Sequence, residues 1–462
     1  MTALPRPTAG APRPYEFPAV HRDVLSNGVR LLVVPMPRLP LVTVLALVDA
    51  GAATESVAQA GVAELTARTL MEGTGLLDGA AVIEAFERLG TAVGTWADWD
   101  DSGASFTVTR SRLDAALAQF ADGLRAPRFP AADVARRRDE RLADLQQQLA
   151  EPRGLADERF DGFLYAPTSR YARPLGGTAT TVSALDDVAV RAFHAARYGP
   201  AVTTLLFVGD ITPEDARAMA EQRFGSWRTP ATAAPTPEAT VAQTARHAVL
   251  VAKADAPQSE LRVGHLGVPR AHPDYLAIVV MNAVLGGLFS SRINLNLREK
   301  HAFTYGASSG FEWRRSAGPF TVRTAVKTEV TARALEEILR EIDAMRAAPP
   351  TAAEVSLATD YLAGVFPIRF ESTSAVAGAL ANATSFGLPD DWFSTYRDRI
   401  RAITPAQVHA AAQAHLHPDR LLVLAVGDAS AIADSVMAQG VGPVITVSAE
   451  HDPTAPASTE VR

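Results

Sequence analysis

Two stretches of this chain hold residues whose types and spacing bear on chemistry. Gly61 to Thr74 reads GVAELTARTLMEGT. Glu64 and Arg68 stand one helical turn apart with the acid first, the favourable order for an i,i+4 ion pair. Neither Arg68 nor Ala67 can ligate a metal ion or act as a general base. Leu285 to Ser309 reads LGGLFSSRINLNLREKHAFTYGASS and supplies a guanidinium, Arg298, and a phenol, Tyr305. Water attack on a peptide carbonyl develops an oxyanion, and groups of this kind placed beside it can donate to it. Taken alone, the two residues read better as a helix salt bridge and a buried aromatic with a satisfied hydroxyl. The histidines carry less. His415 and His417 are i,i+2 and share no helical face, His409 lies nearby, and His265 and His272 flank a turn. No metal role is expected for any of them. No GxxxxGK[ST], GxSxG or GxGxxG motif occurs.

The surroundings of both stretches resemble the pitrilysin/insulinase (M16) family of zinc peptidases, which includes mitochondrial processing peptidase. Active members carry a helix of the form G-[IV]-A-H-x-x-E-H-x-L-x-x-G-T. Two His one turn apart bind zinc, and the Glu between them acts as base toward the metal-bound water. In this chain Gly61, Val62, Ala63, Leu70, Gly73 and Thr74 match that frame. Glu64 stands at the first His, Ala67 at the catalytic Glu and Arg68 at the second His. The family's third ligand is a Glu on a later helix, and its counterpart here is Asp144 in RLADLQQQL. The resemblance therefore implies a degenerate zinc motif and no zinc in this chain. Glu64, Arg68 and Asp144 are expected either to form a charge cluster in place of the metal or to lie as ordinary solvated helix charges.

The second stretch resembles the family's other signature, G-G-x-x-S-S-R-[LI] followed by L-R-E and a Tyr. Here the chemistry matches too, with Arg298 and Tyr305 at the family's Arg/Tyr pair. In the family that pair faces the zinc across a closed chamber and hydrogen-bonds substrate near the scissile bond. In active relatives an edge strand also aligns the peptide through an Asn-Ala; Gly94 and Thr95 occupy those places here. Trp96 and Trp99 on the same hairpin could line a pocket, although such aromatics more often pack.

Several elements must position these groups. Gly28 to Asp49 reads as two apolar strands around a Pro-rich turn. Ala58 to Met71 reads as one helix, and Gly79 to Leu89 as another with Asp78 as N-cap and Gly90 past its end. Ala92 to Ala97 and Ser105 to Thr109 read as a hairpin, and Pro130 to Glu151 as a long charged helix. Val190–Ile211 and Val408–Ala429 each run helix, Pro turn, apolar strand, then Gly-Asp. Pro200 corresponds to Pro418, and Gly209-Asp210 to Gly427-Asp428, at one common offset, which indicates an internal duplication. The expected fold class is α+β: two homologous domains, each an antiparallel-rich sheet with packed helices, joined by a linker as one half of a clam-shell. The expected boundaries are an extended tail over 1–20, a first domain over 21–228, a Pro/Ala/Thr-rich linker over 229–246, a second domain over 247–440 and a tail over 441–462.

The chain has 462 residues, of which 47% are hydrophobic and 21% charged, an ordinary globular balance. Its net charge of −7 argues against general nucleic-acid binding. With no Cys, disulfides, thiolate metal sites and cysteine nucleophiles are excluded. No stretch approaches the ~18 uninterrupted apolar residues of a membrane helix. The N-terminus lacks the apolar core of a signal peptide, so the chain as written reads as cytoplasmic, or periplasmic if a signal has been removed.

In some members of the resembled family the site is split between two chains. The first expectation is therefore a zinc-less subunit of a heterodimeric metalloendopeptidase. Its partner, of similar length, would carry HxxEH and the zinc, and the substrates would be unfolded peptides. The alternative is a catalytically inactive scaffold or peptide-binding protein, like the family's respiratory-complex core subunits. A homodimer of the isolated chain that holds peptides is a third reading.

Overall fold

The computed structural model describes residues 14–454, and its architecture rests on two six-stranded sheets. Strands β1 (His21–Val24), β2 (Arg30–Pro35), β3 (Leu41–Val48), β6 (Gly94–Ala97), β7 (Ser102–Thr109) and β8 (Thr203–Gly209) form the first, in the order β1-β2-β8-β3-β7-β6. Between them β4 (Gly73–Thr74) and β5 (Leu77–Asp78) make a small separate hairpin. The second sheet uses β9 (His247–Ala252), β10 (Gln258–Leu266), β11 (Ala307–Phe311), β12 (Pro319–Lys327), β13 (Leu422–Gly427) and β14 (Val444–Ser448), in the order β14-β9-β13-β10-β12-β11. The two orders superimpose strand for strand. Across the five matching strands of each, one parallel pair (β2 with β8, β9 with β13) joins an otherwise antiparallel run. Only the outermost edges differ: β1 pairs antiparallel with β2, whereas β14 pairs parallel with β9. The fold is thus two homologous α+β domains. Their central strands β8 and β13 are buried along their whole length, and both are predominantly apolar, as strands covered on both faces are.

What covers the second face is exchanged between the halves. After helices α1 (Val62–Thr69), α2 (Gly79–Arg88) and α3 (Leu113–Arg125), helix α4 (Ala131–Ala150) stops at Glu151, and Pro152 opens α5 (Pro152–Leu164) from the N1 position, where its missing N–H costs nothing. Leu155, Ala156, Phe160 and Leu164 of α5 pack against Val249, Val251, Leu422, Leu424 and Val426 of the second sheet. The equivalent helix of the second half, Thr373–Ser385, puts Val376, Ala377, Leu380 and Ala381 against Val34, Leu45, Leu47, Leu206 and Val208 of the first. Each domain therefore completes the other's core. A polar contact reinforces the seam. Arg314 is buried with its guanidinium 4.4 Å over the Trp99 ring and 2.6 Å from Glu312. Arg315 reaches Asp49 at 2.5 Å and donates its backbone N–H to Asp100 at 2.8 Å.

Some sequence expectations need correction. The tail expected over 441–462 contributes β14, because β9 would otherwise present an open edge and Val444–Ser448 is a β-prone run. In the segment expected as an N-terminal tail, Tyr15 and Phe17 are fixed by aromatic packing, with Phe17 stacked 4.3 Å from Phe393. Residues 1–13 of that segment, and 455–462 at the other end, lie outside the described residues. Within the expected linker, Thr240 and Ala242 exchange backbone bonds with Ala166 and Leu164. The single helix expected over Ala58–Met71 is split into a 3-10 turn, Val57–Gln59, and helix α1, Val62–Thr69. Tyr275–Lys300 is apolar enough by composition to span a membrane, but Leu288 is extended within it, and 56% of its most apolar window is buried in the second domain.

Candidate functional site

Helix α1 is held by groups outside the motif itself. Gly61 caps its N-terminus with φ at +99°, a left-handed conformation that favours glycine, and a Cβ there would meet the Gly176 carbonyl at 2.8 Å. The free N–H groups of Gly61 and Ala63 donate to the Glu55 carboxylate at 3.0 and 2.5 Å. Glu55 is buried and paired with Arg170 at 2.7 Å; Arg170 spends its remaining donors on the carbonyls of Arg173, Pro174 and Leu175. Burial pushes the Glu55 carboxyl up, and the Arg170 guanidinium opposes that. Beyond the C-terminal end of α1, the buried Glu72 accepts from Arg136 at 2.7 Å and Arg137 at 2.5 Å, both on α4. This clamp fixes α4 against α1, and two helical turns further along α4 carries Asp144 to Arg68.

The structure brings Glu64, Arg68 and Asp144 together. Arg68 Nε donates to Glu64 Oε1 at 2.8 Å, and Arg68 Nη1 to Asp144 Oδ2 at 3.2 Å. Arg141 approaches the same Glu64 oxygen at 3.9 Å while donating to the Gly176 carbonyl. Gly176 lets the two side chains lie close over the backbone, since a Cβ there would displace the flexible ends of Glu64 and Arg141. Ala67 is a buried methyl. These residues do not fit a zinc ion. A guanidinium holds the space between the two carboxylates, and no group stands where a base would be needed.

Arg298 and Tyr305 sit on the second domain. Arg298 lies in the π-helical turn Leu295–Lys300, with its guanidinium 4.5 Å from the ring of the exposed Phe289 and 3.4 Å from Glu299. Ala302 adopts φ +53° immediately after this turn and accepts no further helical progress, so the chain reverses toward Tyr305. Asn294 pins the reversal by accepting from Ala307 N–H and donating to the Phe289 carbonyl. Tyr305 is 97% exposed, which excludes its role as a buried aromatic. Arg298 and Tyr305 line one cleft of about 430 Å³ with Phe303, Lys327, Arg153 and Gln258. Arg153 and Gln258 also line a second cleft of about 800 Å³ that includes Asp144. One groove along the seam between the domains thus runs from the charge cluster to the Arg/Tyr pair.

The hairpin residues divide. Gly94 and Thr95 lie on β6, an outer strand of the first sheet whose free edge keeps main-chain groups available. Trp96 donates its indole N–H to Asp101 at 3.2 Å. Trp99 is a packing residue, buried between the Arg170 and Arg314 guanidinium groups at 5.1 and 4.4 Å. Sequence reasoning missed Glu55, Arg170 and Glu72, since a lone charged residue outside a motif carries no signal of the distant helix or partner that needs it.

The chain is similar in sequence and fold to known proteins. The family described as Insulinase (Peptidase family M16) matches residues 34–178, and the one described as Peptidase M16 inactive domain matches 187–362. An uncharacterized zinc protease of Mycobacterium tuberculosis is 24% identical over 407 residues, 86% of this chain and 90% of that protein. Among solved structures, a peptidase M16 inactive domain from Pseudomonas fluorescens matches with a TM-score of 0.83 at 28% identity, covering 88% of this chain and 98% of that one. A protease from Helicobacter pylori has the same fold, with a TM-score of 0.82 at 18% identity over 89% of this chain and 100% of that one.

Proposed function

This chain belongs to the M16 peptidase family, and from that premise we propose that it is the zinc-less subunit of a two-chain metalloendopeptidase. One observation carries the reading: the two halves of its groove have diverged in opposite senses. At one end Arg68 bridges Glu64 and Asp144 where a metal would need open ligands. At the other end Tyr305 stands free in solvent at the mouth of a cleft shared with Arg298. A tyrosine kept exposed beside a stacked guanidinium has little to offer its own fold.

In this reading the catalytic zinc and its base belong to a partner of similar length carrying HxxEH. The contribution of this chain is to orient an unfolded peptide. The Tyr305 hydroxyl and Arg298 N–H groups donate to the carbonyl oxygen of the scissile bond as it gains negative charge. They act in trans, so the chain alone cleaves nothing. The free edge of β6 remains able to pair with an extended peptide through main-chain bonds alone. The test is reconstitution with an HxxEH partner. Tyr305→Phe then lowers turnover of an unfolded peptide by about 10²–10³-fold, the usual cost of one oxyanion donor. Unchanged turnover removes Tyr305 from the mechanism.

A further inference from the structure

Three potential metal ligands meet on the second domain, and none of them lines either cleft of the groove. Asp274 precedes the helix Tyr275–Asn282, and His415 closes the helix Pro405–His415, which packs against it. His415 Nε2 lies 2.8 Å from Asp274 Oδ2, and His272 Nδ1 lies 4.0 Å from the same oxygen. The two imidazoles are 4.8 Å apart between centroids and nearly perpendicular. One donor atom from each residue falls within 4.8 Å of the other two.

We propose that His272, Asp274 and His415 form a binding site for a divalent transition-metal ion, zinc or one of its first-row neighbours. Two imidazoles and one carboxylate are a donor set that zinc accepts, whereas calcium and magnesium take oxygen ligands. His415 is buried and Asp274 exposed, so the ion would have one preset ligand and access to solvent. Asp274 also borders a cleft of about 490 Å³, which supplies water for the remaining position. Zinc donors in a tetrahedron lie about 3.3 Å apart, so His272 closes on the other two by about an ångström. Its Nδ1 now accepts the Asp274 backbone N–H at 3.1 Å, a bond that passes to water when that lone pair turns to the ion.

The bound ion would tie the start of one helix to the end of another. The helix Tyr275–Asn282 leads through the π-helical turn Ala283–Gly287 toward the segment that bears Arg298. The metal's role here is structural, at the root of that segment, and does not depend on the peptidase reading. Sequence spacing missed it because no two of the three ligands share a helix.

The experiment is calorimetric titration of zinc into the chelator-stripped full chain, with cobalt absorption as a second readout. One equivalent should bind, with a cobalt spectrum of low-symmetry coordination and a raised unfolding temperature. His415→Ala and Asp274→Asn should each weaken affinity by about 10²-fold or more. His272→Gln, at a partly exposed loop position, should do the same with an unchanged circular dichroism spectrum. His409→Gln should bind as the parent does. Absence of saturable binding overturns the proposal, as does binding that survives all three ligand substitutions.

Discussion

Arg68 of α1 lies 3.2 Å from Asp144 of α4, with Glu64 on its other side at 2.8 Å. By resemblance to the M16 motif the three stand where zinc ligands are expected, and here they are satisfied by one another. The Glu55 cap fixes the start of α1, and the Glu72 clamp holds α4 against it.

Restoring the ligands should therefore restore the metal. In a His415→Ala background, which removes the separate site proposed above, the combination Glu64→His, Ala67→Glu, Arg68→His and Asp144→Glu should bind one equivalent of zinc. Calorimetry checks this. A folded variant without zinc affinity would mean that the frame has drifted out of register.

The charge cluster itself should matter little to stability. Its members are partly solvated, so Arg68→Ala should cost about 1 kcal/mol or less in urea denaturation. The buried pair behind it is different. Arg170→Ala leaves the Glu55 carboxyl without its partner and should cost about 3–5 kcal/mol. Equal losses for the two variants would contradict the account of what positions α1.

The exchange of helices between the domains makes a mechanical prediction. Phe160→Ala and Leu380→Ala remove side chains that each cover the other domain's sheet, and each should cost about 2–5 kcal/mol. Both should lower one shared calorimetric transition. Two separable transitions would mean that the halves are independent.

Stability should also fall in acid through two buried histidines. Burial holds His194 and His265 down to about 4, so the folded state resists their protonation while the unfolded chain takes up protons near 6.5. Their contribution is fully present above 6.5 and is lost as pH falls from 6.5 to about 4, on the order of 3 kcal/mol for each. Asp100 and Asp161, raised to about 6 by burial, act in the opposite sense over part of that window. The clean reading is a difference. His265→Asn should flatten the slope of stability against pH between 7 and 5 relative to the parent, and an unchanged slope would refute the assignment.

Much of the fold was legible where its cause is local. Asp78 accepts from Ala81 N–H and Gly90 takes φ +76°, as the capping residues around Gly79–Arg88 predict. The repeated Pro turn and Gly-Asp correspond to β8 and β13 at equivalent places in the two sheets. What stayed hidden depends on contacts distant in sequence. Nothing in the local pattern of α5 says that its apolar face belongs to the other domain's sheet. Nor does Gly61 announce that the Gly176 carbonyl, distant in sequence, passes too close to it for a side chain. At the site, the motif frame located Glu64, Arg68 and Asp144, but only the three-dimensional arrangement joins Arg298 and Tyr305 to the same groove through Arg153 and Gln258.

The most direct test of the central claim is purification of the native chain from its source, with mass spectrometry of what accompanies it and an assay on an unfolded peptide. The account predicts a stoichiometric partner of similar length bearing HxxEH, zinc-dependent cleavage by the pair and none by this chain alone. It also predicts a loss of about 10²–10³-fold in turnover when Tyr305→Phe is introduced. Recovery of this chain without such a partner, or a pair whose turnover ignores Tyr305, would contradict the split-site reading.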